Sequence, residues 1–158
     1  MVKQFFVDLE SAKAAERLVL DTFSNLTSAY EFKDVSNERK YFYKGDIIAT
    51  DQNGREIGIE VKQDGRIWET KNVLCEEKVL FFDTGMHKGN MSSNYDIYCV
   101  FSPQVNKIWV FDFNIMKQHY KCGRYVQIQH EEQITFAYLV PISKFAELGA
   151  LIAEVDVK

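Results

Sequence analysis

The chain has 158 residues, enough for one domain with a substantial apolar core and too few for a second of ordinary size. Apolar residues make up 46% and charged residues 27%, an ordinary globular balance without the long apolar run of a membrane span. The formal net charge of −4 argues against a generally basic surface for nucleic acid, although a local basic patch stays open.

The opening MVKQFFVDLESAK turns acidic after a short apolar stretch and has no small-residue cleavage site, so no secretory signal is expected. Cys75, Cys99 and Cys122 are too few and too scattered for a disulfide framework. They read as free thiols, and a soluble cytoplasmic protein is the expectation. Residues 9–24 pattern as an amphipathic helix, with Leu9, Ala12, Val19, Leu20 and Phe23 on one face. Glu16 breaks that face. Within Phe5–Ser11, Asp8-x-Glu10 resembles the first motif of RNase H-like exonucleases, but the helix that continues from it makes Asp8 read as an N-cap.

A short edge strand is expected around Tyr30–Phe32, then strands over Tyr41–Thr50, Glu56–Gln63 and Val73–Phe82. Gly85–Asn94 reads as a loop. Asp96–Phe101 and Lys107–Phe113 read as strands, and Asn114 as the N-cap of a short helix to about Lys121. A strand over Thr135–Val140 and a closing helix from Ser143 to about Glu154 complete an α/β or α+β arrangement on a mixed sheet. Tyr41, Tyr43, Trp68, Tyr95, Tyr98 and Trp109 read as core residues of strands rather than base-stacking platforms. His119, Cys122 and His130 lack the partners of a structural zinc site and read as surface histidines and a buried thiol.

The stretch YFYKGDIIATDQNGREIGIEVK, residues 41–62, carries the chemistry. Alternation puts Glu60 and Lys62 on one face of their strand, opposite Ile57, Ile59 and Val61. A two-residue Asn53-Gly54 turn would pair Asp46 with Val61. A three-residue Gln52-Asn53-Gly54 loop would pair Asp46 with Glu60. Asp51 suits the start of a type I turn and Gly54 a left-handed bulge, which favours the longer loop. Two carboxylates held side by side repel, and a hard divalent cation such as Mg²⁺ or Mn²⁺ relieves the repulsion. A lysine beside such an ion can hold an attacking water or offset charge in a phosphodiester transition state.

The spacing Gly45-Asp46 … Glu60-Val61-Lys62 resembles the core motif of the PD-(D/E)XK nuclease superfamily, which includes restriction endonucleases and Holliday-junction resolvases. Gly45 stands where the family's proline would be. The resemblance covers about residues 9–82 and implies a restriction-endonuclease-like αβββαβ core, with a mixed central sheet flanked by helices, in a chain expected to be a single nuclease-like domain over residues 1–158. It implies catalytic roles for Asp46, Glu60, Lys62 and Glu16, and a metal site of Asp46, Glu60 and the Val61 carbonyl taking Mg²⁺ or Mn²⁺. The implied partner is DNA, structured or branched, with homodimerisation common among similar enzymes of phage or bacterial origin. Asp64, His87 and Lys88 follow as candidate substrate contacts. The alternative is a non-catalytic nuclease-fold module or subunit of a phage, defence or repair assembly.

Overall fold

The computed structural model describes the backbone from Val2 to Lys158 and side chains from Glu10 onward. Helix α1 spans Val2–Leu26, so Asp8 lies inside it rather than capping it; the side chains of Asp8 and Leu9 fall outside the described residues. Strands β1 (Glu31–Asp34), β2 (Ile47–Thr50) and β3 (Glu56–Gln63) follow, then a one-turn α2 (Ile67–Thr70) and strands β4 (Asn72–Phe81) and β5 (Gly85–Lys88). Next come β6 (Ile97–Ser102), β7 (Lys107–Asp112), α3 (Phe113–His119), β8 (Arg124–Gln129), β9 (Gln133–Pro141), α4 (Ile142–Glu147) and β10 (Leu151–Asp156).

The class is mixed α+β with a mixed sheet. Six strands lie in the order β1-β2-β3-β6-β7-β10, antiparallel except for the parallel pair β3–β6. A second, antiparallel sheet runs β5-β4-β9-β8. The strand expected over Val73–Phe82 is β4, and it belongs to this second sheet rather than following β2 and β3 in the first. The crossover from β3 to β6 therefore carries α2 and the β4–β5 hairpin where a long helix would otherwise run.

Two apolar layers follow from strand alternation. Ile47, Ala49, Ile59, Val61, Cys99 and Phe101 point to α1 and pack on Ala15 and Val19. Tyr98, Val100, Trp109 and Phe111 point the other way, onto Val73, Cys75, Val140 and Phe145 of the second sheet and α4. β6 and β7 are buried on both faces, which is why they read as near-continuous apolar runs.

Several boundaries moved. Arg39–Tyr41 form a 3₁₀ turn, so the strand expected from Tyr41 starts only at Ile47. Asp112, not Asn114, caps α3, its carboxylate accepting from the N–H groups of Asn114 and Ile115 at 3.0 and 3.3 Å. The closing segment divides into the short α4 and strand β10, and β8 is a strand that the sequence pattern did not reveal. Tyr95, Tyr98 and Trp109 are core residues, but Tyr43 is 73% exposed and Trp68 is exposed too. Cys122 is exposed, not buried; Cys75 and Cys99 are buried, and all three are free thiols. His119 and His130 are exposed, and no metal-binding group of three forms there among the described residues.

The β2–β3 hairpin takes the longer loop. Ile47 pairs with Ile59 and Thr50 with Glu56, which sets Asp46 opposite Glu60. Gly54 N–H donates to the Asp51 carbonyl at 3.1 Å, and the Asp51 carboxylate accepts from Asn53 and Arg55 N–H at 2.9 Å each. Gly54 sits at φ 79°, the left-handed position expected of it. Gly45 is under tighter constraint: its φ is 127°, and a Cβ there would stand 2.4 Å from the Ile59 carbonyl oxygen. Gly45→Ala is expected to destabilise by about 2–3 kcal/mol, lowering Tm by roughly 5–10 °C, whereas Gly54→Ala costs about 1 kcal/mol. Thermal melts of the two variants check this, and equal losses would contradict it.

Candidate active site

Asp46 is the last residue before β2, at the point where that strand parts from β3. Its N–H still donates to the Ile59 carbonyl at 2.8 Å. One register further along, its side chain takes over: Oδ2 accepts from Val61 N–H at 3.0 Å. A carboxylate thus occupies the place of a missing ladder carbonyl. Because a strand residue's N–H and C=O face the same edge, the Val61 carbonyl also faces this opening between the strands.

Glu60, next along β3, is 8% exposed. Its Oε2 accepts from the Tyr95 hydroxyl at 3.1 Å and lies 3.8 Å from Lys62 Nζ. Burial pushes the Glu60 carboxyl well above the usual range, and the charge and hydrogen bonding of Asp46 push it further; Lys62 and Tyr95 oppose the shift. Lys62 keeps a substantially exposed side chain at the mouth of the site.

Glu16 approaches from α1. It is as buried as Glu60, at 8% exposure, and its Oε2 has no hydrogen-bond partner among the described residues. Burial first, and then Asp46, raise its pKa from 4.5 to about 7. An orphaned buried carboxylate oxygen is costly, and native structures keep few of them. Asp46, Glu60, Glu16, Val61 and Lys62 line one open cleft of about 390 Å³ together with Gln63.

The structure places the other candidates differently. The Asp64 carboxylate accepts from Arg66 and Ile67 N–H at 2.7 and 3.2 Å in the turn that leads into α2, and it lines an adjoining cleft rather than this one. His87 and Lys88 stand on β5 at the edge of the second sheet. His87 bonds the Thr84 hydroxyl at 2.9 Å and packs edge-on to Phe81, and neither residue lines the Glu60 cleft. Gln63 also lines the cleft, on the α1 side, where its Oε1 accepts from the Ser11 hydroxyl at 3.1 Å. Tyr95 is the contributor that sequence reasoning missed. An aromatic before an apolar strand carries no local sign that its hydroxyl reaches a carboxylate 35 positions earlier.

The donor set suits a hard divalent cation: two adjacent carboxylates, a backbone carbonyl and an unpartnered carboxylate oxygen, with open space for waters. Lys62 beside them could hold an anionic group or a water.

No protein-family model matches the chain, and no curated protein matches it. Among solved structures it is similar to a bacterial homing endonuclease, I-Ssp6803I, at 11% identity and a TM-score of 0.48. That match covers 78% of this chain and 74% of the other. The functional reading rests on the geometry of the cleft.

The raised carboxyl pKa values set a sign for the pH dependence. In the metal-free protein the Glu16 contribution to stability is fully present below about pH 4.5 and is lost as pH rises through about 7, with Glu60 adding a loss that extends higher. Glu16→Gln should therefore raise Tm above pH 7 and change it little near pH 5. A divalent cation competes with these protons, so the Tm increase given by millimolar Mg²⁺ or Mn²⁺ should grow from pH 5 to pH 8. A metal effect that is flat with pH would contradict this assignment.

Proposed function

We propose that residues 1–158 form a metal-dependent nuclease domain of the PD-(D/E)XK type that hydrolyses phosphodiester bonds of DNA. The observation that carries this reading is the meeting of Asp46 and Glu60 across the β2–β3 opening, with the orphaned Glu16 oxygen and Lys62 on the same cleft.

Asp46, Glu60 and the Val61 carbonyl would hold Mg²⁺ or Mn²⁺. When bound, such an ion polarises a phosphate oxygen and acidifies water. The chain's own residues supply the rest. Glu60, whose carboxyl is raised by burial and by Asp46, would enter the ligand set as a carboxylate, and the Tyr95 hydroxyl bonded to its Oε2 would orient it. Lys62 can donate to the attacking water or to a non-bridging phosphate oxygen, offsetting charge that builds as the bond to phosphorus forms. Glu16, whose pKa burial and Asp46 raise to about 7, could hold a water and take its proton.

A second reading is a non-catalytic nuclease-fold module or subunit of a phage, defence or repair assembly. One observation favours it: among the described residues, no three His, Cys, Asp or Glu side chains stand close enough to make a metal cluster by themselves. Mg²⁺ needs only one or two carboxylates when waters and phosphate complete its shell, so the nuclease reading keeps precedence. Free thiols agree with a cytoplasmic setting, and no helix among the described residues is long and apolar enough to cross a membrane. Cutting both strands of a duplex would call for a homodimer.

The test is cleavage of single-stranded, duplex and branched DNA in Mg²⁺ and in Mn²⁺ by the wild type, Lys62→Ala and Glu60→Ala. Metal-dependent cutting should fall about a hundred-fold or more in each variant. Cutting that survives both substitutions would reject the site. Metal binding without any cutting would favour the non-catalytic module.

A further inference from the structure

The segment Arg39-Lys40-Tyr41-Phe42-Tyr43-Lys44 leads directly into Gly45 and Asp46, and it contains no acidic residue. A soluble protein usually covers neighbouring aromatics, but Phe42 is 56% and Tyr43 73% exposed. The flanking cations are also exposed. Lys40 lies 5.0 Å from the centre of the Tyr41 ring, and Lys44 makes a surface ion pair with Glu56 at 3.5 Å, a contact of little net strength. Arg39 and Lys40 have no ion-pair partner among the described residues.

The segment is not a floppy tether. Arg39–Tyr41 form a 3₁₀ turn, and Lys44 and Gly45 N–H both donate to the Tyr41 carbonyl at 2.8 and 3.1 Å. The Tyr43 carbonyl accepts from Asn94 N–H at 3.1 Å, next to the Tyr95 that holds Glu60. Two bare aromatic rings are thus presented on a fixed turn, among three cations, beside the carboxylate cleft.

We propose that this turn is a platform for an unpaired nucleic-acid strand: Phe42 and Tyr43 stack on exposed bases while Arg39, Lys40 and Lys44 neutralise the phosphates between them. The inference rests on the nuclease reading of the adjoining cleft and names its substrate class. Rings stack on bases only where those bases are not already stacked in a duplex, so the platform selects a single strand, a flap or a branch point. Charge complementarity favours this occupant over an apolar protein partner, because a protein docking on the two rings would bury Arg39 and Lys40, which have no ion-pair partner among the described residues.

The experiment is fluorescence anisotropy in EDTA, with a labelled oligothymidylate and a blunt duplex of the same length as probes. The wild type is compared with Phe42→Ala/Tyr43→Ala and with Arg39→Gln/Lys40→Gln/Lys44→Gln, a thermal melt confirming that each variant folds. The aromatic variant should bind the single strand about ten-fold or more weakly and the duplex little differently. The charge variant should bind both more weakly, with a salt dependence for the single strand shallower by about two in log–log slope. Absence of wild-type binding, unchanged binding in folded variants, or equal losses for duplex and single strand in the aromatic variant would each overturn the platform. Metal-dependent cleavage is read separately: if it is absent while the single-strand loss is seen, the nuclease reading fails and the platform stands.

Discussion

The bond from Val61 N–H to the Asp46 carboxylate organises everything around the cleft. At that register a continuous β2 would supply a backbone carbonyl, and the sheet would close. The aspartate side chain satisfies the same donor while the backbone turns away, so the two strands part without leaving a buried N–H unpaired. Hydrogen bonding to a carboxylate is stronger than to a neutral carbonyl, which lets one side chain stand in for the ladder. The backbone can leave at this point because Gly45 passes over the Ile59 carbonyl at a distance that excludes a side chain. The opening, the Val61 carbonyl that faces it and the position of the preceding aromatic turn go with that one substitution of side chain for backbone.

Its electrostatic cost falls on the neighbours. Two further carboxyls, Glu60 and Glu16, are largely buried against Asp46, and both are raised by burial before they are raised by its charge. A fold under selection for stability alone would replace at least Glu16, whose buried Oε2 has no hydrogen-bond partner among the described residues. Strain and unsatisfied polarity of this kind concentrate where a site must be ready for a ligand that supplies the missing interactions. Tyr95 and Lys62 relieve Glu60 only in part, and Lys62 remains free enough at the mouth of the cleft to contact something else.

What could be read in the sequence was what is local. The hairpin register followed from Asp51 and Gly54, because turn chemistry over a few residues fixes which strand positions face each other. β3 emerged at its observed bounds because its alternation is uninterrupted. Glu16 was conspicuous because one acid on an apolar helical stripe violates a period. The misreadings were of two other kinds. Ser143–Glu154 holds a short helix and a strand, and its apolar positions fit both periods until the chain turns at Gly149. The assignment of β4 to the second sheet, and the reach of Tyr95 to Glu60, depend on long-range pairing that no window of sequence contains. Tyr43 was misjudged because an aromatic among alternating residues looks like a strand residue, whereas here the strand had not yet begun.

Net charge was the least informative property of the chain, because electrostatics near a surface is decided within about 10 Å at moderate salt. The total of −4 sums acids and bases that never act together. Around the cleft they are sorted: Asp46, Glu60 and Glu16 face inward, where they can be neutralised by a cation, while Arg39, Lys40 and Lys44 stand outside on the turn leading into Asp46. A polyanion approaching this face would meet the exposed cations first, and would meet the carboxylates only through an ion bound between them. An acidic protein can therefore present a nucleic-acid site, provided that the acids are gathered where a metal cancels them and the bases where it does not. On the proposed function the same sorting gives the two neighbouring features complementary tasks: the aromatic turn would hold the strand, and the carboxylate cleft would need a phosphate brought to it.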